Sequence, residues 1–265
     1  MITKQEVDIF IERIPPSGAI LQQTLMFLNA GELTKAAKVA EADLALKSYL
    51  RGIVNKPIYG FKSEVKEISQ IFGILGVSRS QQTVYNYMIS LLSPKKWVLF
   101  NLTSTSFIEL QAHLSNGWRK VLLHLNINDK DIESAISLLP ASIIVAEALF
   151  CTKIENVQLL RSTKALDYNT ILQRLCHVDL FDICEQIAQK WEMPTVVANI
   201  IQGASGVKPI ADKQDKLLAK WMHILLFYEL SKPLFIEAGL NDFIDFQIDF
   251  VDDVYEEFSK LMEIS

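Results

Sequence analysis

The sequence predicts an all-α protein, on three observations. Glycine and proline are scarce, at 10 and 8 residues among 265, which argues against a loop-rich β-sandwich and favours long helices. Apolar residues recur at helical spacing along most of the chain. The segment Asp131–Phe150 has no ionisable side chain from Ser134 to Ala146, and a helix that is apolar all round is buried all round. This segment is therefore predicted to be the central helix of the fold.

The individual helices are predicted from their apolar stripes and from the residues that begin and end them. Pro15-Pro16 ends the first helix, Asp43 is an N-cap, and Gly76 ends another helix. Lys95–Leu102 fits a helix or an extended chain. The predicted segments are Val7–Ile14, Gly18–Asn29, Glu32–Ala42, Leu44–Val54, Glu64–Leu75, Ser78–Leu92, Ser106–His113, Trp118–Leu125, Asp129–Phe150, Asn156–Thr163 (a loop or a short helix), Tyr168–Leu175, Asp179–Trp191, Thr195–Ile201, Asp212–Leu230 and Asn241–Met262.

Charge and cysteine content exclude several classes of protein. Asp and Glu number 31 against 26 Lys and Arg, so the net charge of −5 gives no electrostatic reason to expect nucleic-acid binding. The central apolar run is shorter than the about 20 residues of a membrane span and is flanked by Glu133 and Glu147, so no membrane span is expected. Cys151, Cys176 and Cys184 fit buried thiols in a reducing compartment. The N-terminal residues show no signal-peptide pattern, and the cytoplasm is the expected location.

Four segments, in this order, resemble the HDOD family, the degenerate relatives of HD-type metal phosphohydrolases. They are Ile14-Pro15-Pro16 before a Leu-rich helix, Glu41–Phe61 with Asp43, Asn55 and Tyr59-Gly60, Glu64–Gln81 with Leu75-Gly76, and Ile187–Ile201 with Trp191 and Met193-Pro194. The resemblance implies a multi-helix, HD-like orthogonal bundle in residues 1–205. Residues 206–265 are then a C-terminal helical extension packed on that bundle.

The resemblance also implies that the metal site of the HD enzymes is lost. Those enzymes bind metal through a His-Asp pair on a central helix and through further His and Asp residues, and the metal activates a water molecule. Pro140 and Ala141 stand at the pair, and Gly203 and Ala204 stand near a further histidine. None of these four side chains ligates a metal, and His113 lies out of register. No catalytic residue, metal or cofactor is therefore expected.

Three residues have a predicted structural role. Pro140 removes a helical hydrogen bond at a cost of about 3 kcal/mol, so the helix is predicted to be bent or broken beside it and packed dry, with no ion beside it. His223 lies on an apolar helix and is interpreted as a core histidine rather than a ligand. Gly73 is interpreted as a site of close helix packing.

Two groups of residues are candidate contacts for a partner or a ligand. Asn55 and Tyr59 lie on the loop that matches the family; the alternative is that Asn55 caps the preceding helix and that Tyr59 packs against neighbouring residues. Phe243, Phe246 and Phe250 lie at helical spacing in an acidic stretch. They either dock into a basic partner or pack onto the body of the protein, with the acidic face outward in both cases.

The expected function is that of a non-catalytic bacterial signal-transduction module. It would act as a scaffold or adaptor through contacts with unidentified signalling or regulatory proteins, and an oligomer is compatible with this role. The alternative is metal-independent binding of a nucleotide or another small phosphate ligand in the former HD cavity. Residual phosphohydrolase activity would need ligands from positions such as Glu109 and His113, so the protein is not expected to be an enzyme.

Overall fold

The computed structural model describes residues 4–12, 19–57, 60–61 and 63–264, and within these ranges it contains helices and no strand. The all-α prediction is confirmed. The α-helices are α1 (Lys4–Glu12), α2 (Ala19–Asn29), α3 (Leu33–Ala40), α4 (Leu44–Val54), α5 (Ile68–Leu92), α6 (Ser104–His124), α7 (Lys130–Ser134), α8 (Leu138–Cys151), α9 (Ile154–Lys164), α10 (Tyr168–Cys176), α11 (Leu180–Lys190), α12 (Thr195–Gly203), α13 (Lys213–Leu230), α14 (Pro233–Glu237) and α15 (Ile248–Leu261), with 3-10 turns at Ala135–Ser137 and Leu240–Phe243.

Contacts group the chain into two compact units, Pro15–Leu91 and a larger one made of Met1–Ile14 and Leu92–Ser265. In the larger unit α8 packs along α11, while α12 lies against α11 and α13. Helix α13 also contacts α6 and α15, and α1 lies on α8 and α11. The C-terminal helices therefore share one unit with α6–α12, and the division at residue 205 stays a prediction.

The centre of the larger unit is the apolar stretch from α7 to α8. Lys130–Cys151 is 22 residues long and is long and apolar enough to cross a membrane. Its most apolar window has a mean hydropathy of 1.9, and 89% of that window is buried inside the protein. Burial of this kind is consistent with the core helix of a soluble protein. Trp118 of α6 fixes this stretch by donating its indole N–H to the carbonyl of Ile132 at 2.8 Å.

In the smaller unit the start of α5 differs from the prediction. The helix begins at Ile68 rather than at Glu64, because two side chains hold the preceding residues in another conformation. The side chain of Asn55 exchanges hydrogen bonds with the backbone of Val65. The carboxylate of Glu41 accepts the N–H of Ile68 at 3.0 Å and so caps the helix.

The glycines of α5 have different roles from each other. Gly76 adopts φ 74° and ψ 177° inside the helix and interrupts it, as the prediction of two segments required. Gly73 is exposed, and no heavy atom lies within 4 Å of the position that a Cβ would take. The prediction that Gly73 is a site of close helix packing is wrong.

Helix α6 is continuous, whereas two shorter helices were expected over the same residues. Thr103 and Ser106 form a capping box that begins it. Gly117 lies inside the helix, where a Cβ would come 2.5 Å from Cδ1 of Leu225. This glycine therefore permits close packing of α6 on α13 instead of ending a helix.

The final predicted helix, Asn241–Met262, is wrong as one element. Gly239 has φ 78°, a 3-10 turn follows, and Ile244 is in an extended conformation with its side chain 5% exposed. Only from Ile248 does the chain become α-helical again. The buried side chain of Ile244 and the hydrogen bond made by Gln247, described below, hold the intervening residues out of the helix.

Two further predictions concern α9 and the three cysteines. The residues that fitted a loop or a short helix form α9. Cys176 and Cys184 are buried as expected, but Cys151, the last residue of α8, is exposed. The prediction of a buried thiol is therefore wrong for Cys151.

Candidate functional site

Pro140 and Ala141 lie in the first turn of α8, and both side chains are buried. A 3-10 turn at Ala135–Ser137 separates α7 from α8 directly before them. Proline has no N–H to donate to the carbonyl of Ile136, four residues earlier, and its ring crowds that carbonyl. The predicted break beside Pro140 is confirmed, and the 3-10 turn is the form that it takes.

The residues that the resemblance assigns to the former metal positions do not fit a metal ion. Ala141 and Ala204 are 0% exposed, and neither carries a donor atom in its side chain. Beside Gly203 the space is filled, because a Cβ there would lie 1.8 Å from Cδ1 of Ile210. Ser142 donates its hydroxyl to the carbonyl of Leu139 at 2.7 Å. Among the described residues no group of three or more His, Cys, Asp or Glu side chains is placed to hold a metal.

His223 of α13 is fully buried, and its imidazole joins two backbone segments. Nε2 accepts the N–H of Gln247 at 3.0 Å, so Nδ1 carries the proton and donates to the carbonyl of Ala204 at 2.9 Å. Burial lowers the pKa of this imidazole. The interpretation of His223 as a core histidine is confirmed. Its partner Ala204 is one of the residues that the resemblance assigns to the former metal positions.

Asn55 is the C-cap residue of α4. Its amide nitrogen donates to the carbonyls of Arg51 and Val65, each at 3.0 Å, and its oxygen accepts the N–H of Val65 at 2.8 Å. This geometry matches the capping interpretation, and a ligand contact by Asn55 stays a prediction. Tyr59, the second candidate on this loop, lies outside the described residues.

The three candidate phenylalanines lie in different surroundings, because they belong to different elements. Phe243, in the 3-10 turn, is 1% exposed and its ring centroid lies 5.5 Å from that of Phe100. Phe246, in the non-helical residues before α15, stacks on Phe227 at 4.5 Å. Phe250 of α15 presents its edge to His223 at 5.8 Å. All three pack within the larger unit, and a partner contact by any of them stays a prediction.

The outer face of α15 is acidic and carries two exposed apolar side chains. Asp249, Asp252 and Glu256 are exposed and form no ion pair with any described residue. Ile248 is 50% exposed and Tyr255 43% exposed, and both lie on this helix. This surface is defined here as the acidic face of α15.

One buried carboxylate is absent from the predicted site residues. Glu147 of α8 is 2% exposed and accepts the consecutive backbone N–H groups of Val98, Leu99 and Phe100 at 2.5 to 3.3 Å. These bonds explain why the apolar segment before α6 is neither a helix nor a strand. The sequence does contain a signal for this role, because a single carboxylate in an otherwise apolar helix needs hydrogen-bond partners when it is buried.

Comparison with known proteins places these features in a family. A model of the HDOD domain matches residues 15–205. The chain is similar in structure to an HDOD domain protein of unknown function from Geobacter sulfurreducens, at 14% identity and a TM-score of 0.61, covering 98% of this chain and 95% of that chain. It is also similar to a virulence factor from Campylobacter jejuni subsp. jejuni, at 16% identity and a TM-score of 0.48, covering 98% and 96%. No curated protein matches.

The Geobacter structure shares the fold of this chain. The family model extends from residue 15 to residue 205, which is well more than half of the 265 residues. The chain belongs to the HDOD domain family.

Proposed function

We propose that this protein is a non-catalytic signal-transduction module of the bacterial cytoplasm, which acts as a scaffold or adaptor through protein–protein contacts. The observation that carries the proposal is the chemistry at the former metal positions. Pro140, Ala141 and Ala204 are buried and have no side-chain donor. Phosphoryl chemistry of the HD type needs a metal that activates water, and these residues supply no ligands for one.

The acidic face of α15 supports the adaptor role. Exposed carboxylates beside exposed apolar side chains are typical of a surface that attracts and then buries a basic, amphipathic partner. The inner side of α15 is not available for docking, because Val251 and Phe258 are fully buried. The partner in this proposal is a signalling or regulatory protein with a basic surface.

Affinity capture from cells of the source organism, followed by mass spectrometry, tests this role. Truncation before Asn241 would remove buried side chains such as Phe243 and Phe258, so point variants are the sharper tool. The triple variant Asp249→Lys, Asp252→Lys, Glu256→Lys is expected to lose a basic partner that the wild-type protein retains.

The matched control carries Glu155→Lys, Glu192→Lys and Glu237→Lys, which change the net charge equally at exposed positions outside α15. It is expected to retain the partner. Equal recovery of the same proteins by the wild type and both variants would contradict a role for the acidic face.

The alternative of a phosphate ligand in the former HD cavity gains no support from the geometry. Gly203 is closed off by Ile210 and Ala219, and Ala141 is fully buried in an uncharged stretch of α8. A ligand phosphate needs donors or positive charge, and neither is available from these side chains. The adaptor role therefore has the better support.

A further inference from the structure

A surface pocket of about 340 Å³ lies in the larger unit, and none of the former metal positions lines it. The volume is at the lower end of the roughly 300–1,000 Å³ typical of small-molecule sites. The pocket combines apolar and polar lining residues, which are Val98, Leu99, Gln158, Arg161, Ser162 and Tyr168.

Two carboxyl groups, the buried Glu147 and the half-buried Asp242, fix the walls of this pocket without lining it. Glu147 holds the backbone of Val98 and Leu99 through their N–H groups, which forms one wall. On the other side, Asp242 accepts the N–H of Tyr168 at 3.1 Å and pairs with Arg161. Walls that are held in this way are preorganised, so a ligand would cost little ordering of the protein.

Arg161 is the charged residue among those that line the pocket. Its guanidinium lies 4.1 Å from the ring centroid of Tyr168, and Nη1 bonds to Asp242 and to the carbonyl of Leu166. Within the described part of the chain, Nε and Nη2 have no hydrogen-bond acceptor. This edge of a guanidinium has the geometry that binds a carboxylate or a phosphate through two parallel hydrogen bonds.

Further polar groups lie close to Arg161 on α9. Gln158 and Ser162 are exposed on the same helix and line the same pocket. The side-chain amide of Gln158 makes no hydrogen bond to the described residues and is free to donate to a ligand. The apolar part of the lining consists of Val98, Leu99 and the ring of Tyr168.

We propose that this pocket binds a small ligand that carries a carboxylate or phosphate group on an apolar body. The anionic group is bound by Arg161 and Gln158. The apolar body packs against Val98, Leu99 and Tyr168. This site goes beyond the proposed adaptor function and does not depend on it.

Nuclear magnetic resonance titration of the full chain with phenyl phosphate, benzoate and uncharged benzyl alcohol tests the proposal. We expect saturable binding of at least one anion at millimolar concentration, with shifts of the Val98 and Ser162 amides, and no comparable binding of the alcohol. Binding of only one of the two anions supports the proposal and identifies the head group.

Charge variants at Gln158 decide whether the anion binds at this pocket. The residue is exposed, so Gln158→Glu is expected to weaken binding several-fold and Gln158→Lys to strengthen it, without unfolding the protein. Gln173→Glu, an equal change at an exposed position of α10 that does not line the pocket, is the control. Arg161→Gln should weaken binding roughly tenfold.

Three outcomes would overturn the proposal. They are the absence of saturable binding of either anion, equal binding of benzyl alcohol, and Gln158 variants whose affinities change no more than that of Gln173→Glu. Because the Gln158 variants leave the Arg161–Asp242 pair intact, the test does not depend on whether Arg161→Gln folds.

Discussion

At the scale of single residues, the structure separates side chains whose role is visible in the sequence from those whose role is not. His223 could be predicted as a core residue because an apolar helix surrounds it. Its two backbone partners, at Ala204 and Gln247, could not be predicted, because every residue type has a backbone carbonyl and nearly every type a backbone N–H. The same holds for Glu147, whose partners lie 47 to 49 residues away in the chain.

His223 should make the stability of the protein depend on pH. Burial lowers the pKa of this imidazole in the folded state, so the unfolded chain, with a histidine pKa of about 6.5, binds the proton more readily. The free energy of unfolding should therefore fall as the pH drops below about 6.5, while above that pH the group adds no pH dependence.

Denaturant unfolding at pH values from about 5 to about 8, the range in which histidine side chains titrate, measures this dependence. The variant His223→Gln should lose part of the slope, because its side chain does not titrate. His177→Asn, at an exposed position with φ 59° that asparagine tolerates, should keep the wild-type slope. A slope that is the same in His223→Gln as in the wild type would refute this role.

Glu147→Gln should destabilise the protein. A glutamine oxygen is uncharged, and its NH₂ group would face the N–H donors of residues 98–100 that the carboxylate now accepts. Loss of hydrogen bonds to a charged group costs about 1.5–3 kcal/mol in the free energy of unfolding. Glu155→Gln, at an exposed position of α9, should change it by less than about 0.5 kcal/mol. Equal effects of the two substitutions in urea unfolding would contradict the role of Glu147.

At the scale of elements, the sequence predicts helices that have local signals. Asp43 and Asp179 cap α4 and α11 by accepting backbone N–H groups, as their residue type predicts. The last helix was predicted too long, because Phe243, Phe246 and Phe250 keep a helical spacing across residues 244–247, which are not helical. The interruption depends on contacts with His223 and other distant residues, and periodicity alone does not contain them.

The two glycines of α5 should respond in opposite ways to alanine. Gly76→Ala places a Cβ at φ 74° and should destabilise the protein by about 1–2 kcal/mol. Gly73→Ala adds a Cβ to an exposed helical position with free space around it and should stabilise the protein by roughly 0.5–1 kcal/mol. Thermal unfolding of both variants checks this, and a destabilising Gly73→Ala would indicate a contact that the structure does not place there.

At the scale of the whole molecule, the order of family segments along the chain sufficed to predict the family, and composition and helical spacing sufficed to predict the all-α class. The grouping of α1 with α6–α15 in one compact unit could not be predicted, because it arises from packing between residues far apart in sequence. The pocket beside Arg161 was also beyond prediction, since Arg161, Asp242 and Tyr168 come from three separate elements. Function depends on such surfaces, which the order of family segments does not describe.

The central claim is the proposal that the protein does not catalyse metal-dependent phosphate hydrolysis of the HD type. The most direct test is hydrolysis of bis(p-nitrophenyl) phosphate by the purified full chain, with manganese, nickel or magnesium added and with elemental analysis of the same preparation. The expected result is no stoichiometric metal and no hydrolysis above that of the buffer, whereas an active HD phosphohydrolase hydrolyses the substrate in parallel. Two findings together would contradict the claim. One is stoichiometric metal in the preparation. The other is hydrolysis that is abolished by a chelator and is also lost in the double variant Glu109→Gln, His113→Gln.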